Sequence, residues 1–304
     1  TVGASKRVGA ISTTLDRPTT NKVRGARGLG GTRTLGDTVV IVARHGERLD
    51  YSTRDAGGNW IPTTNTPWDP PLTYQGHLQG NVLGEQVAEA LQERGLEPVS
   101  AVYSSPLTRC RQTAVAAVSG LTPKVPLKVR LEQGLTESLN ESWYRSWSIS
   151  GTDGTWGFHP KNEDGTRAEI DVDSIHPLAK SPIQSILNNF EDDQSISGMD
   201  HEYSSIHKIE TDYKWGNFES PDDQRKRMGG VIASLAKQHE GETIMLLSHG
   251  GPVTHLYEEL SGNDWSVHGK SSYACFSIYE QSDEGWNPLM VNINTSSSGQ
   301  IAYV

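Results

Sequence analysis

The sequence predicts an α/β fold, a three-layer sandwich with a mostly parallel central sheet flanked by helices. Three observations carry that prediction. Short apolar runs rich in β-branched residues, such as Val39 to Ala43 and Thr243 to Leu247, read as strands buried on both faces. These runs alternate with segments whose apolar residues recur at helical spacing, the pattern of a layered α/β domain. Two of the runs end in the same kind of step, Arg44-His45-Gly46-Glu47-Arg48 and Ser248-His249-Gly250-Gly251-Pro252. Open parallel sheets bind ligands beyond the carboxyl ends of their strands, so both histidines arrive where a site is expected.

The elements follow in order. Strand 38–43 leads into a loop over 49–72 that contains Pro and Trp. A helix is expected over about 74–94, with Leu78, Val82, Leu83, Val87 and Leu91 on one face and Gly95 as its stop. Val99 to Tyr103 forms the next strand, and Ser104-Ser105-Pro106 opens a helix with Pro106 at its first position. Leu127 to Leu131 is a short strand. The pattern is then lost over 138–220, a long insertion rich in Asp, Asn, Gly and Ser that also holds Trp143, Trp147, Trp156 and Trp215, which could form a lid. Ser220-Pro221 starts a helix whose inner face is Met228, Val231, Ile232, Leu235 and Ala236. Strand 243–248 and a helix from Gly251 to about Leu260 come next, then strands at Tyr273 to Glu280 and Leu289 to Ile293.

Charge is unevenly spread. Residues 1–36 hold seven Lys and Arg against Asp16 alone, so they carry +6 and the rest of the chain −16 of the net −10. We read 1–36 as a disordered basic tail and 37–304 as the folded domain with its 138–220 insertion. The acidic body argues against a nucleic-acid partner, so any anion must be held by a local positive pocket. No apolar run reaches the roughly 18 residues of a membrane span. The two cysteines, Cys110 and Cys275, suggest no disulfide framework and fit a reducing, cytoplasmic location.

The strand-end motifs carry the chemistry. An imidazole among guanidiniums has its charged form disfavoured, which leaves His45 neutral and nucleophilic beside an anion-binding fork. His249 repeats the logic, and the helix after it turns its first amides toward the same space. Arg109, one turn into the helix after Ser105, can reach that pocket, whereas Arg111 should project elsewhere. The bland alternative for each motif is an ordinary strand-to-helix turn with exposed charges. A two-histidine metal site lacks the Asp/His cluster that would complete it.

Together these segments resemble the histidine phosphatase superfamily, in the branch that also contains the cofactor-dependent phosphoglycerate mutases. Arg-His-Gly-Glu at 44–47, Pro71-Leu72-Thr73 with Gly76, Ser104-Ser105-Pro106 with Arg109, and Ser248-His249-Gly250 stand in the family's order. The resemblance implies a phosphoglycerate mutase-like sandwich and a metal-independent phosphomonoester hydrolase with no cofactor. It implies His45 as the phospho-accepting nucleophile and His249 as the second pocket histidine. Arg44, Arg109 and Gly250 would bind the phosphate. The family's acid follows the strand after the Arg109 helix, where Glu137 is the better match and Glu132 the runner-up. Arg48-Leu49-Asp50 replaces the Ser and Trp-Asn common in the mutases. That form is similar to the phosphatase domains of the suppressor-of-T-cell-receptor-signalling proteins and the insect steroid-phosphate phosphatases, where the extra arginine joins the phosphate pocket. The implied substrate is a phosphotyrosine protein or a small phosphomonoester, and related domains often form homodimers. A mutase-type isomerase and a noncatalytic interaction domain remain open at this point.

Overall fold

The structure, a computed structural model, describes residues 37–64, 66–121, 123, 126–137, 162–166, 196–208 and 220–295. All of these belong to one compact unit, Leu35–Val304. The basic stretch 1–36, most of the 138–220 insertion and its four tryptophans lie outside the described residues, and with them the lid reading.

Strand β1 (Thr38–Arg44) runs into the short helix α1 (Leu49–Asp55), followed by α2 (Tyr74–Glu93), β2 (Ala101–Ser104), α3 (Thr108–Gly120) and β3 (Val129–Leu131). After the insertion come α4 (Pro221–Gln238), β4 (Thr243–Ser248), α5 (Gly250–Ser261), β5 (Phe276–Ser282) and β6 (Gly285–Ile293). The strands form one sheet in the order β3-β2-β4-β1-β5-β6. It is parallel from β3 to β1 and antiparallel through β5 and β6.

Successive residues of a strand face opposite sides, and β1 divides accordingly. Val39, Ile41 and Ala43 pack with Leu83 and Val87 of α2 and Ala114 and Ala117 of α3. Val40 and Val42 pack on the other side with Met228, Val231 and Ile232 of α4 and Val253 and Leu256 of α5. The predicted three layers are therefore present, with a sheet that is mixed at one edge.

Several local expectations are corrected. The expected loop over 49–72 contains α1 and a 3-10 turn at Ile61–Thr63. Asp50 is the buried residue of α1, so that helix carries no apolar stripe to read. On α2, Leu78 is exposed and the buried face runs instead through Gly76, Gly80, Leu83, Gly84, Val87, Ala90 and Leu91. The small residues let α2 and α3 approach closely, and a Cβ at Gly84 would overlap the Ala117 carbonyl oxygen. Helix α3 starts at Thr108, two residues after Pro106. Its cap comes from a distant loop: Asp69 accepts from the Thr108 amide at 2.8 Å and from its hydroxyl at 2.7 Å. β5 begins at Phe276 because Ala274, just before it, holds a left-handed turn with φ 54°.

Gly84→Ala should destabilise the protein by about 1–3 kcal/mol through overpacking of the α2–α3 contact. Denaturant unfolding checks this, and an unchanged midpoint would contradict the packing described.

Candidate active site

Parallel pairing of β1 with β4 puts Arg44 opposite Ser248, and the next residue of each chain is a histidine. The rings of His45 and His249 lie 5.3 Å apart, edge to face. Both are buried, at 1% and 0% exposure. A cavity of about 330 Å³ opens onto this strand end, lined by Arg44, His45, Arg48, Tyr51, Glu137, Gln224, Gly250 and Gly251.

His45 Nδ1 lies 2.7 Å from the Gly46 carbonyl oxygen. A neutral imidazole makes that contact with its proton on Nδ1, which leaves the Nε2 lone pair for other use. The ring is held neutral because burial, then Arg109, Arg44 and Arg48, drive its pKa well below the usual value; the Gly46 carbonyl opposes this weakly. Burial, then Arg109 and His45, depress His249 in the same way. His249 Nε2 lies 2.7 Å from the Ser105 hydroxyl, and its Nδ1 lies 4.0 Å from Glu137 Oε2. Burial pushes the neighbouring Cys110 thiol up to about 12, so it stays protonated beside the ring.

The arginines are fixed in three different ways. Arg44 Nη1 donates to the Ser271 carbonyl at 2.6 Å, and its guanidinium lies 4.4 Å from the Tyr273 ring centre. Arg48 makes a two-pronged pair with Asp50, at 2.6 and 2.7 Å, and stacks 4.3 Å from the Tyr51 ring centre. Arg109 is wholly buried, with Asp69 as its ion-pair partner at 3.8 Å. Its Nε, Nη1 and Nη2 are all buried with no hydrogen-bond acceptor among the described groups. Arg111, expected to point elsewhere, donates to Thr108 Oγ1 at 2.9 Å.

The remaining motif residues hold the Arg44-to-Arg48 turn. Gly46 and Gly76 pack backbone to backbone, and a Cβ on either would overlap a carbonyl oxygen of the other segment. Thr113 Oγ1 accepts from the Gly46 amide, Gln79 Oε1 accepts from the Glu47 amide, and Thr73 donates its hydroxyl to Glu47 Oε1.

Of the seven sequence-derived candidates, Arg44, His45, Arg48, Glu137 and Gly250 line the cavity, His249 lies against His45, and Arg109 does not line it but is the charged group that most depresses both imidazoles. Glu132 does not line the cavity; its carboxylate accepts hydrogen bonds from residues 203–207. Tyr51 and Gln224 were not anticipated. Tyr51 sits on a helix without apolar periodicity, and Gln224 enters from α4 with no local motif to mark it. Trp68, one of the aromatics of the 49–72 loop, is buried and does not line the cavity. Among the described residues no group of three or more His, Cys, Asp or Glu is arranged to hold a metal ion.

A family model, the histidine phosphatase superfamily (branch 1), matches residues 40–150 and 189–294, which contain every residue of this site. The chain belongs to that superfamily. Within it, an ecdysteroid-phosphate phosphatase of Drosophila melanogaster is 32% identical over 122 residues, covering 32% of this chain and 15% of the relative. The human ubiquitin-associated and SH3 domain-containing protein A is 33% identical over 138 residues, covering 36% of this chain and 20% of the relative. The chain thus spans a fifth or less of the length of these relatives. The ecdysone phosphate phosphatase of Bombyx mori, solved with tungstate, shares the fold with a TM-score of 0.50 at 20% identity; the match covers 86% of this chain and 97% of that one. Among the described residues no helix is long and apolar enough to cross a membrane.

The two buried neutral imidazoles tie stability to pH. Their folded pKa values lie below the usual 6.5, so the unfolded chain binds more protons as pH falls from 6.5 toward those depressed values. The stabilisation is full above 6.5 and is lost below it. Calorimetric unfolding near pH 6 should show proton uptake that is reduced in His249→Asn; equal uptake in both proteins would contradict the neutral pair.

Proposed function

We propose that the chain is a metal-independent phosphomonoester hydrolase that works through a phosphohistidine at His45. The observation that carries the reading is Arg109. A buried guanidinium with three nitrogens lacking acceptors is costly, by about 1–3 kcal/mol or more for a charged donor. Arg109 is the charged group that most depresses His45, and a dianionic phosphoryl group set against that ring, in the cavity that Arg44 and Arg48 line, would offer it acceptors. Fixed positive charge of this kind is the main source of catalysis in phosphoryl transfer. In this reading the arginines do the work that a metal ion does elsewhere.

In the proposed cycle each group has a defined part. His45 Nε2 attacks phosphorus in line; the N–P bond forms as the bond to the leaving oxygen breaks. Glu137, in its acid form, gives its proton to that oxygen. Arg44, Arg48, Arg109, His249 and the first amides of α5 bind the equatorial oxygens. Water then attacks phosphorus, Glu137 takes the water proton, and the N–P bond pair returns to Nε2. The tautomer with its proton on Nδ1, held by Gly46, suits both halves of the cycle.

The arginine in place of the mutase Ser at position 48 favours hydrolysis over isomerisation, because it adds a phosphate ligand bound firmly to Asp50. The ecdysteroid-phosphate phosphatases suggest small phosphomonoesters as substrates, with Tyr51 and Gln224 beside the leaving group. The acidic body disfavours a nucleic-acid partner, and the same reading includes a cytoplasmic location and a homodimer.

Hydrolysis of p-nitrophenyl phosphate in excess chelator tests the reading. Wild type and His77→Ala, which changes an exposed residue of α2, should turn over, and His45→Ala should not. Equal losses in the two variants, or activity that needs added metal, would overturn it. Arg109→Met should lower kcat by roughly 10²–10³, the usual effect of removing one preorganised donor; a loss confined to KM would mean that Arg109 binds substrate and transition state equally and adds nothing to the chemical step.

A further inference from the structure

Glu132 stands at the end of β3, five residues before Glu137, and its side chain is fully buried. Buried carboxylates are stable when their lone pairs are filled by donors. Glu132 meets that condition with five of them. Oε1 accepts from the Ser205 hydroxyl at 2.7 Å, the His207 amide at 3.1 Å and the Gly134 amide at 3.2 Å. Oε2 accepts from the Tyr203 hydroxyl and the Ile206 amide, both at 2.9 Å. Four of the five donors belong to the far end of the insertion. Burial and the Glu132 charge push the Tyr203 hydroxyl upward in pKa, so it stays a donor.

The fifth donor, Gly134, lies in the 3-10 turn Gln133–Leu135 that leads to Glu137. That turn is gripped from several sides. The Gln133 amide donates to Ser205 Oγ at 2.8 Å. Arg227 of α4 donates to the carbonyls of Gly134 and Thr136 at 2.5 and 3.1 Å. The Ser248 hydroxyl, next to His249, donates to the Leu135 carbonyl at 2.7 Å. The backbone on either side of the turn is thus fixed at one end by Glu132 and at the other by the strand that carries His249. Glu137 is the first cavity-lining residue after it.

We propose that Glu132 is a positioning residue: it ties the end of the insertion, residues 203–207, to the turn that presents Glu137, and so sets the carboxylate for proton transfer to the leaving oxygen. The proposal rests on the acid role given to Glu137 above. It gives the 196–208 end of the insertion a place in the catalytic scaffold, apart from any contact with substrate.

General-acid catalysis matters most for poor leaving groups, so a misplaced acid has a signature that a damaged phosphate pocket lacks. The test is kcat/KM for a series of phosphomonoesters, from p-nitrophenyl through phenyl to alkyl phosphate, in wild type, Glu137→Gln and Glu132→Gln. In Glu132→Gln the amide turns an N–H₂ toward the donors of Ile206 or His207 and loosens the turn. The loss on alkyl phosphate should then exceed the loss on p-nitrophenyl phosphate by roughly tenfold or more, in the direction set by Glu137→Gln. Tyr203→Phe and Ser205→Ala each remove one donor and should tilt the series the same way by less; they decide the matter if Glu132→Gln does not fold. A uniform loss across the series, or no loss, in variants that fold overturns the proposal. A flat series in Glu137→Gln itself identifies the acid assignment as the failure, and the proposal falls with it.

Discussion

The pairing of β1 with β4 is the constraint on which the site depends. In this register Val39 faces Thr243 and Arg44 faces Ser248, so His45 and His249 leave the sheet side by side. Side chains alternate faces along a strand, and a slip of one residue would exchange the buried faces and separate the imidazoles. The register is defended by the core: Val40 and Val42 fill one layer with α4 and α5, while Val39 and Ile41 fill the other with α2 and α3. The same residues that make the hydrophobic sandwich therefore set the spacing of the two histidines.

Around that pair the electrostatics are unusual for a protein interior. Arg48 and Arg109 are buried near two imidazoles that burial and the arginines keep neutral. Asp50 holds Arg48, Asp69 lies beside Arg109, and Glu137 approaches His249. The acids divide the work by position. Asp50 and Asp69 stabilise cations, Glu132 binds neutral donors, and Glu137 faces the cavity. In the proposed reading, a phosphoryl dianion would supply the hydrogen-bond acceptors that Arg109 lacks among the described groups. Fixed positive charge of this kind, in the proposed function, would be preorganised for charge that develops in the transition state.

Much of this was legible in the sequence because the signals are local. A continuous apolar run reads as a buried strand, and His-Gly at its end reads as a site, so β1, β4, His45 and His249 follow directly. Arg109 was legible for the same reason, as a residue one turn into a helix expected to follow a strand end. What escaped depends on distant partners. Helix α3 is capped by Asp69, 39 residues away, so its start could not be read from Pro106. Helix α1 buries Asp50 and has no apolar face. The face of α2 turned out to be lined with glycine, because its partner helix comes too close for larger side chains. The motif ranks Glu137 above Glu132, but the contacts that give the two carboxylates different surroundings come from residues 203–207, beyond a long insertion. Gln224 reaches the cavity from α4 for reasons that only the packed structure supplies.

The central claim is a covalent phosphoenzyme at His45, and rapid quenching tests it most directly. Glu137→Gln should slow the attack of water and let the intermediate build up on a substrate with a good leaving group. Mass spectrometry of the quenched protein, handled at alkaline pH, should then find one acid-labile phosphoryl group on the peptide that contains His45, and none in His45→Ala. Phosphate on another residue, or turnover with no trapped phosphoenzyme under conditions where product appears in a burst, would contradict the account.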